Sequence, residues 1–351
     1  MTKLKLEKDV ALAPLTTLKV GGPARFFVRC ETEEEVAAAV EYSEIEGIPL
    51  LVLGGGSNML VSDAGFEGLV MQVAIKGISV EDEGPDKQMR VLNVGAGEDW
   101  DGFVAYCVER DLAGVECLSG IPGLTGAAPV QNIGAYGQEV SETIVSVRCF
   151  DRESRSFTKL GNDECGFAYR KSTFNSDQTS RYIIVSVRFR LIVSGTPKIA
   201  YGDLRSHFGG REPDLREMRE AVISIRRAKS MVIDPDDPNS KSAGSFFKNP
   251  LVSADTYREI SAAFPVHEVP HFKGEGGSIK IPAAWLIEKA GFPKGYRFKN
   301  ASISSRHTLA IINSGGATTA EIIGLKDLIV QAVKERFGIE LVPEPTFVGF
   351  S

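Results

Sequence analysis

Residues 50–58 read Leu50-Leu51-Val52-Leu53-Gly54-Gly55-Gly56-Ser57-Asn58, an apolar run that feeds three consecutive glycines and then two short hydrogen-bonding side chains. A strand followed by a turn without side chains brings backbone N–H groups close to an anion, so the stretch reads as the cradle of a phosphorylated ligand. A tight turn would use the same glycines, and one triplet weighs the two readings equally. A second stretch tips the balance. Residues 119–137, SGIPGLTGAAPVQNIGAYG, hold five glycines and two prolines with almost no charge. A loop that long and uncharged is costly in water, so it is expected to wrap something large, flat and partly apolar. Together the two loops point to a dinucleotide cofactor.

Working outward, 351 residues exceed one ordinary core, and two or three domains are expected. With 43% hydrophobic and 25% charged residues the composition is that of an ordinary soluble protein. A net charge of −6 argues against a nucleic-acid surface, although the local cluster Arg226, Arg227 and Lys229 can meet a small anion. The N-terminus alternates lysine with leucine and turns acidic, unlike a signal peptide, and no apolar stretch reaches the ~18 residues of a membrane helix. A cytoplasmic protein without a membrane partner is the expectation. The five cysteines, Cys30, Cys107, Cys117, Cys149 and Cys165, form no C-x-x-C pair and sit in apolar stretches. They are expected to be reduced thiols packed as small hydrophobes.

The spacing predicts a helix over 31–46, with Val36, Ala39, Val40 and Ser43 on one face behind an acidic first turn and Gly47 as its stop. Strands are predicted over 48–53 and 68–73, two more over 78–94 around the polar loop 81–88, and a second helix over 98–110. Runs at 145–150 and 181–193 alternate with the period of antiparallel sheet. Further helices are predicted over 214–229, 254–264, 283–290 and 319–337, strands over 310–313 and 345–349, and a hinge at 234–242. Helices and strands mix without strict alternation, which favours α+β over a doubly wound parallel sheet.

Neither G-x-G-x-x-G nor G-x-x-x-x-G-K-[ST] occurs, so the cofactor belongs to another architecture than the usual dinucleotide fold or a P-loop. His267-Glu268-Val269-Pro270-His271 fits the zinc-protease pattern H-E-x-x-H, but that chemistry needs both histidines on one continuous helix and Pro270 lies between them. A surface loop is expected there, and no metal. In Ala243-Gly244-Ser245-Phe246-Phe247-Lys248-Asn249-Pro250 a serine stands between glycine and two phenylalanines. The segment reads either as a strand start with a buried aromatic pair or as a hydroxyl in a dry pocket, with Lys248 and Asn249 near an anionic ligand. It is no nucleophile elbow and no histidine is an obvious base, so the serine would donate a proton rather than attack. Tyr169-Arg170-Lys171-Ser172 follows a turn, where a solvated salt-bridging cluster is the plainer reading. Glu344 stands between Pro343 and Pro345, which fix its backbone and place its carboxylate rigidly.

Assembled in order, these motifs resemble the UDP-N-acetylenolpyruvoylglucosamine reductase (MurB) family over nearly the whole chain. The likeness rests on Gly54 to Asn58, the loop from Ile121-Pro122-Gly123 to Asn132-Ile133-Gly134-Ala135-Tyr136-Gly137, Tyr169-Arg170, Ala243 to Pro250, and Pro343-Glu344. Ala200-Tyr201-Gly202-Asp203-Leu204 resembles the tyrosine loop of the family's type I branch, which folds over substrate. Two departures stand out. Thr16-Thr17-Leu18 replaces an Asn-Thr-aromatic motif, and the 234–242 hinge is longer.

The resemblance implies an α+β protein: a two-part FAD-binding module of the vanillyl-alcohol-oxidase (PCMH) type at 1–74 and 75–228, and a C-terminal α+β substrate domain at 229–351, its last ~15 residues expected to return to the FAD-binding module. It implies non-covalent FAD cradled by Gly54, Gly55, Gly56, Ser57, Asn58, Leu60, Pro122, Gly123, Gly126, Ala127, Asn132, Gly134, Ala135, Tyr136 and Gly137. NADPH would reduce the flavin and leave, after which the enolpyruvyl ether of UDP-N-acetylglucosamine would take its place, yielding UDP-N-acetylmuramate for peptidoglycan. Arg170 and a protonated Glu344 would stand beside the substrate carboxylate, and Ser245 would protonate the enol intermediate after hydride addition to the CH2 carbon. Tyr169, Tyr201, Lys229, Asn249 and His307 would meet substrate, Lys229 and Asn249 at the diphosphate and nearby polar groups. A monomer is expected. Two alternatives stay open from the residues: an FAD-dependent sugar or alcohol oxidase, and a flavin- or nucleotide-sugar-binding protein without turnover.

Overall fold

The computed structural model describes residues 3–81, 88–176, 181–265 and 268–350. The chain forms two compact units. One comprises Met1–Val10, Ala24–Gly56 and Phe66–Val232, the other Ala11–Pro23, Ser57–Gly65 and Ile233–Ser351.

The first unit opens with the helix Glu33–Ile45, where Thr32 accepts a hydrogen bond from the Glu35 N–H and the Glu35 side chain answers the Thr32 N–H. This reciprocal cap and three glutamates in the first turn fix the start of the helix, contributing about 1 kcal/mol. Val36, Ala39, Val40 and Ser43 form its buried face, as their spacing predicts. The strand Leu50–Leu53 follows and pairs in parallel with Phe66–Val73, which pairs in parallel with Pro23–Cys30 on its other side. Pro23–Cys30 is absent from the sequence reading because Arg25 and Arg29 interrupt its apolar run and leave no clear period.

A second, antiparallel sheet has the order Ser156–Gly161, Ile144–Asp151, Tyr182–Val193, Met89–Gly95, Ile78–Glu81. Of the predicted loop 81–88 that joins the last two strands, residues 82–87 lie outside the described residues. The helix Trp100–Glu109, capped by Asp99, covers this sheet. Trp100, Phe103 and Phe189 form its aromatic centre, with ring centroids 4.8–6.0 Å apart. Two more helices, Gly202–Phe208 and Leu215–Ala228, close the unit around Cys117, Leu204, Met218 and Val222.

In the second unit, the three-stranded sheet Arg297–Phe298, Ala301–Ile303, Ile311–Asn313 packs on the helix Thr319–Phe337. Asp63 accepts from the N–H groups of Thr319 and Ala320 at 2.8 and 2.9 Å, so the segment 57–65 caps the longest helix of this unit. The final strand Thr346–Val348 pairs in parallel with Met59–Val61. Thr17 donates its hydroxyl to Ser242 O at 2.6 Å and Leu18 is fully buried, so Thr16-Thr17-Leu18 is a packed part of this unit. His267 of the H-E-x-x-H pattern lies outside the described residues. Residues 268–271 are not helical, Phe272–Lys273 is strand, and His271 Nδ1 meets the Tyr257 hydroxyl at 2.8 Å.

Among the described residues no helix is long and apolar enough to cross a membrane. All five cysteines are free and buried. Burial pushes the thiols of Cys30, Cys117, Cys149 and Cys165 up to about 12 and raises that of Cys107 as well. Only the thiolate reacts with a disulfide reagent, so the native protein is expected to release no thionitrobenzoate from DTNB at mildly alkaline pH, against five equivalents after unfolding in guanidinium. A rapidly reacting thiol in the native protein would contradict this packing.

Candidate active site

The glycine triplet leaves the end of the strand Leu50–Leu53 and meets the second glycine loop backbone to backbone. A Cβ on Gly55 would lie 2.7 Å from Gly123 Cα, and one on Gly126 would lie 2.6 Å from Ala96 Cβ. No side chain fits at either point, which is the physical reason for glycine there. The second loop is anchored on residues 96–100. Gly126 N–H donates to Ala96 O at 2.9 Å, Thr125 N–H to Glu98 O at 2.8 Å, and Trp100 N–H to Gly123 O at 3.1 Å. Ala127 stands against Gly54, whose Cβ would meet it at an ordinary 3.4 Å. Pro122 leads into this contact. The Thr125 hydroxyl is buried beside it without a partner in the protein. A double loop joined through glycines, uncharged and with an unspent buried hydroxyl, fits the pyrophosphate of a dinucleotide, whose oxygens need donors at close range and no cation.

Two tight turns sit at the far end of the second loop. Gly134–Ala135 pairs with Gln138–Glu139, so Tyr136 and Gly137 are the central residues of a two-residue hairpin, both with positive φ (51° and 82°). Ala168 and Lys171 exchange both backbone hydrogen bonds around Tyr169 and Arg170, and Arg170 is held at φ 54°. A left-handed non-glycine residue is costly and persists only where its surroundings over-determine it, which is common at functional sites. Here Arg170 Nη2 donates to Gly134 O at 3.3 Å, and Asn175 Nδ2 donates to Arg170 O at 3.2 Å. Asn132, also left-handed, is buried between the turns. Its amide donates to Glu139 Oε2 at 2.7 Å and Ala168 O at 3.2 Å, and its Oδ1 accepts from Ser141 N–H. The Asn132 side chain thus ties the Tyr136 turn to the Arg170 turn. Burial pushes the Tyr136 phenol up to about 12 against the pull of the Arg226 charge, so it is a neutral donor.

Below the loop, Asp101 binds Arg219 through two hydrogen bonds of 2.6 and 2.8 Å and accepts from Gly120 N–H at 2.6 Å. Burial opposes ionisation of Asp101, but these bonds and the charges of Arg219 and Arg226 outweigh it and hold the carboxyl below its ordinary 3.8. The ionised carboxylate therefore stabilises the fold above that ordinary value, and the contribution is lost as pH falls through it towards the lower folded value. Asp101→Asn is expected to melt below the wild type at neutral pH, with the gap narrowing as the pH falls below the ordinary 3.8. A gap independent of pH in calorimetric scans would refute it. Arg226 is buried and donates to Met231 O at 2.7 Å, Arg227 is exposed, and Lys229 pairs with Asp203 at 2.6 Å. Tyr201 packs edge-on against Tyr136, centroids 5.7 Å apart.

Ser57, Asn58, Leu60, Ser245, Asn249, His307 and Glu344 belong to the second unit. Asn58 donates from its side chain to Glu344 O at 3.3 Å and accepts from Thr346 N–H at 3.0 Å, so it fixes the proline-flanked glutamate from both sides. Leu60 is wholly buried in the strand Met59–Val61. Phe247 bridges Pro343 in antiparallel fashion and Glu344 N–H donates to Phe246 O at 2.9 Å, which sets the Glu344 backbone one residue from Ser245. Phe246 and Phe247 are both buried, ring centroids 5.5 Å apart, so the expected aromatic pair is present without a regular strand. Asn249 Oδ1 accepts from Ala283 N–H at 2.9 Å and holds the start of the helix Ala283–Lys289. His307 Nδ1 accepts from Leu309 N–H at 3.1 Å, and Leu309 O in turn receives Phe246 N–H at 2.7 Å.

The sequence reading passed over Thr125, Asp101 and Asp203. Asp203 stands within the Tyr-Gly-Asp segment singled out for its tyrosine, whereas Asp101 carries no local signal because its partners lie 19 and 118 residues away.

Known proteins resemble this chain along nearly its whole length. A family model described as "FAD binding domain" matches residues 24–157, which contain both glycine loops, and one described as "UDP-N-acetylenolpyruvoylglucosamine reductase, C-terminal domain" matches 236–348, which contain Ser245 and Glu344. The UDP-N-acetylenolpyruvoylglucosamine reductase of Thermobifida fusca (strain YX) is 46% identical over 97% of this chain and 98% of its own length. That of Streptomyces coelicolor is 42% identical over 97% of this chain and 90% of its own. Among solved structures, a UDP-N-acetylenolpyruvylglucosamine reductase from Thermus caldophilus is similar over 99% of this chain and 100% of its own, with a TM-score of 0.66 and 26% identity.

Proposed function

The chain belongs to the UDP-N-acetylenolpyruvoylglucosamine reductase family, and from that membership we propose what its individual residues do. The protein is an FAD-dependent oxidoreductase of peptidoglycan precursor synthesis. Its reaction adds a hydride and a proton across the double bond of the 3-O-enolpyruvyl ether of UDP-N-acetylglucosamine, giving UDP-N-acetylmuramate. NADPH is the reductant, and FAD when bound carries the hydride between the two.

The residues do the rest. Backbone donors of Gly54 to Gly56 and of the 122–127 loop hold the pyrophosphate of FAD, and the contact of Gly55 with Gly123 is the observation that supports this most. Arg170, held in its left-handed turn against Gly134, presents a fixed cation to the substrate carboxylate, and Glu344, fixed between two prolines, serves the same carboxylate. As hydride arrives at the CH2 carbon, negative charge spreads to the neighbouring carbon and the carboxylate, where a fixed cation lowers the barrier. Ser245 then delivers a proton to that neighbouring carbon, which is basic enough to take it from an alcohol. Lys229 and Asn249 meet the diphosphate, Tyr169, Tyr201 and His307 the remainder of the substrate. The three-part division at 74 and 228, a monomeric state and a cytoplasmic location belong to the same proposal.

The test is stoichiometric. Under anaerobic conditions, NADPH consumption should require the enolpyruvyl sugar, with one NADPH used per product two hydrogens heavier than the substrate. NADPH consumption indifferent to the sugar and matched by oxygen uptake in air would instead identify an oxidase.

A further inference from the structure

Residues 200–203 touch the second glycine loop at two points and the end of the helix Leu215–Ala228 at a third. Ala200 Cβ stands 2.7 Å from where a Cβ on Gly137 would be, so Gly137 must lack one. Tyr201 packs edge-on against Tyr136, and the Asp203 carboxylate takes the Lys229 ammonium at 2.6 Å. The helices carrying the charged pair are fixed to each other, because Leu204 and Phe208 share a buried cluster with Met218, Ala221 and Val222. Asp203 lies in the first turn of the helix Gly202–Phe208 and Lys229 closes the helix Leu215–Ala228, so each charge also suits its helix end.

We infer that Asp203 is a specificity-determining residue that occupies Lys229 until a diphosphate displaces it. The inference rests on the reading that Lys229 meets the substrate diphosphate. A phosphate oxygen brought to the Lys229 ammonium arrives beside a carboxylate already in hydrogen-bond contact, and the two anions repel. The carboxylate must turn away for the ligand to bind. About two fifths of each side chain is exposed, so the pair is screened and can be broken, but it sets a threshold: a polyanionic group displaces Asp203, whereas a neutral sugar does not.

The probe is UDP, titrated calorimetrically into the FAD-loaded wild type, Asp203→Asn, Lys229→Gln and the double variant. Asp203→Asn keeps the size of the side chain and removes its charge. It is expected to bind UDP about three- to five-fold more tightly than wild type, as befits an exposed ion pair, and the gain should vanish in the Lys229→Gln background. If Lys229→Gln weakens UDP binding while Asp203→Asn leaves it unchanged or weaker, the displacement is wrong and Lys229 keeps its role. A gain that persists without Lys229 also overturns it, since Asp203 would then act directly on the ligand or through the fold. Lys229→Gln binding UDP as tightly as wild type removes the diphosphate reading of Lys229, and the inference with it.

Discussion

Replacing Ser245 by alanine is expected to slow reoxidation of the NADPH-reduced protein by the enolpyruvyl sugar by about two to four orders of magnitude, or ~3–5 kcal/mol in the barrier. Reduction by NADPH should remain near the wild-type rate, because that half-reaction moves a hydride and asks no proton of the serine. The backbone around position 245 does not depend on the hydroxyl. Phe246 N–H is held by Leu309 O at 2.7 Å and Phe246 O by Glu344 N–H at 2.9 Å, while Phe246 and Phe247 are buried anchors. Alanine therefore removes the proton donor and leaves the scaffold. Rapid mixing under anaerobic conditions separates the half-reactions, and Ser245→Cys, which keeps an ionisable hydrogen, should recover part of the loss. Equal slowing of both half-reactions would mean that the substitution disturbs the site as a whole and that the serine is not the acid.

A second large effect is expected from one methyl group. Gly55→Ala would place its Cβ 2.7 Å from Gly123 Cα and 3.1 Å from Gly123 C, both backbone atoms that cannot rotate aside. Gly123 is pinned through its carbonyl to the N–H of Trp100, which is fully buried among Phe103 and Phe189. The strain falls on the loop contact, and overpacking of this kind costs about 1–3 kcal/mol. FAD affinity should drop about ten- to a hundred-fold, so the variant purifies with little yellow colour yet folds. Gly202→Ala, with nothing within 4 Å of the added atom, is the control and should keep its flavin. A Gly55→Ala protein that retains FAD with wild-type affinity would contradict the proposed cradle.

Much of this was legible in the sequence because its signals are local. The face Val36, Ala39, Val40 and Ser43 behind three glutamates gives a helix from spacing alone, and the two glycine loops stand out because so many side chains are absent from uncharged stretches. Runs with the period of antiparallel sheet turned out to be the paired strands Ile144–Asp151 and Tyr182–Val193. What escaped depends on partners distant in the chain. The segments 11–23 and 57–65 join the C-terminal residues through contacts such as Asp63 with the helix Thr319–Phe337, and nothing local in either segment says so. Left-handed backbone at Arg170 and Tyr136 was likewise invisible, since the residue types give no warning and the surrounding hydrogen bonds enforce it.

The most direct test of the account is a single turnover. The FAD-loaded protein is bleached anaerobically with one equivalent of NADPH, the NADP is removed, and the enolpyruvyl ether of UDP-N-acetylglucosamine is added before any oxygen. The account predicts that the visible flavin absorbance returns at once and in full, with UDP-N-acetylmuramate formed in equal amount. A spectrum that stays bleached until air is admitted would contradict it.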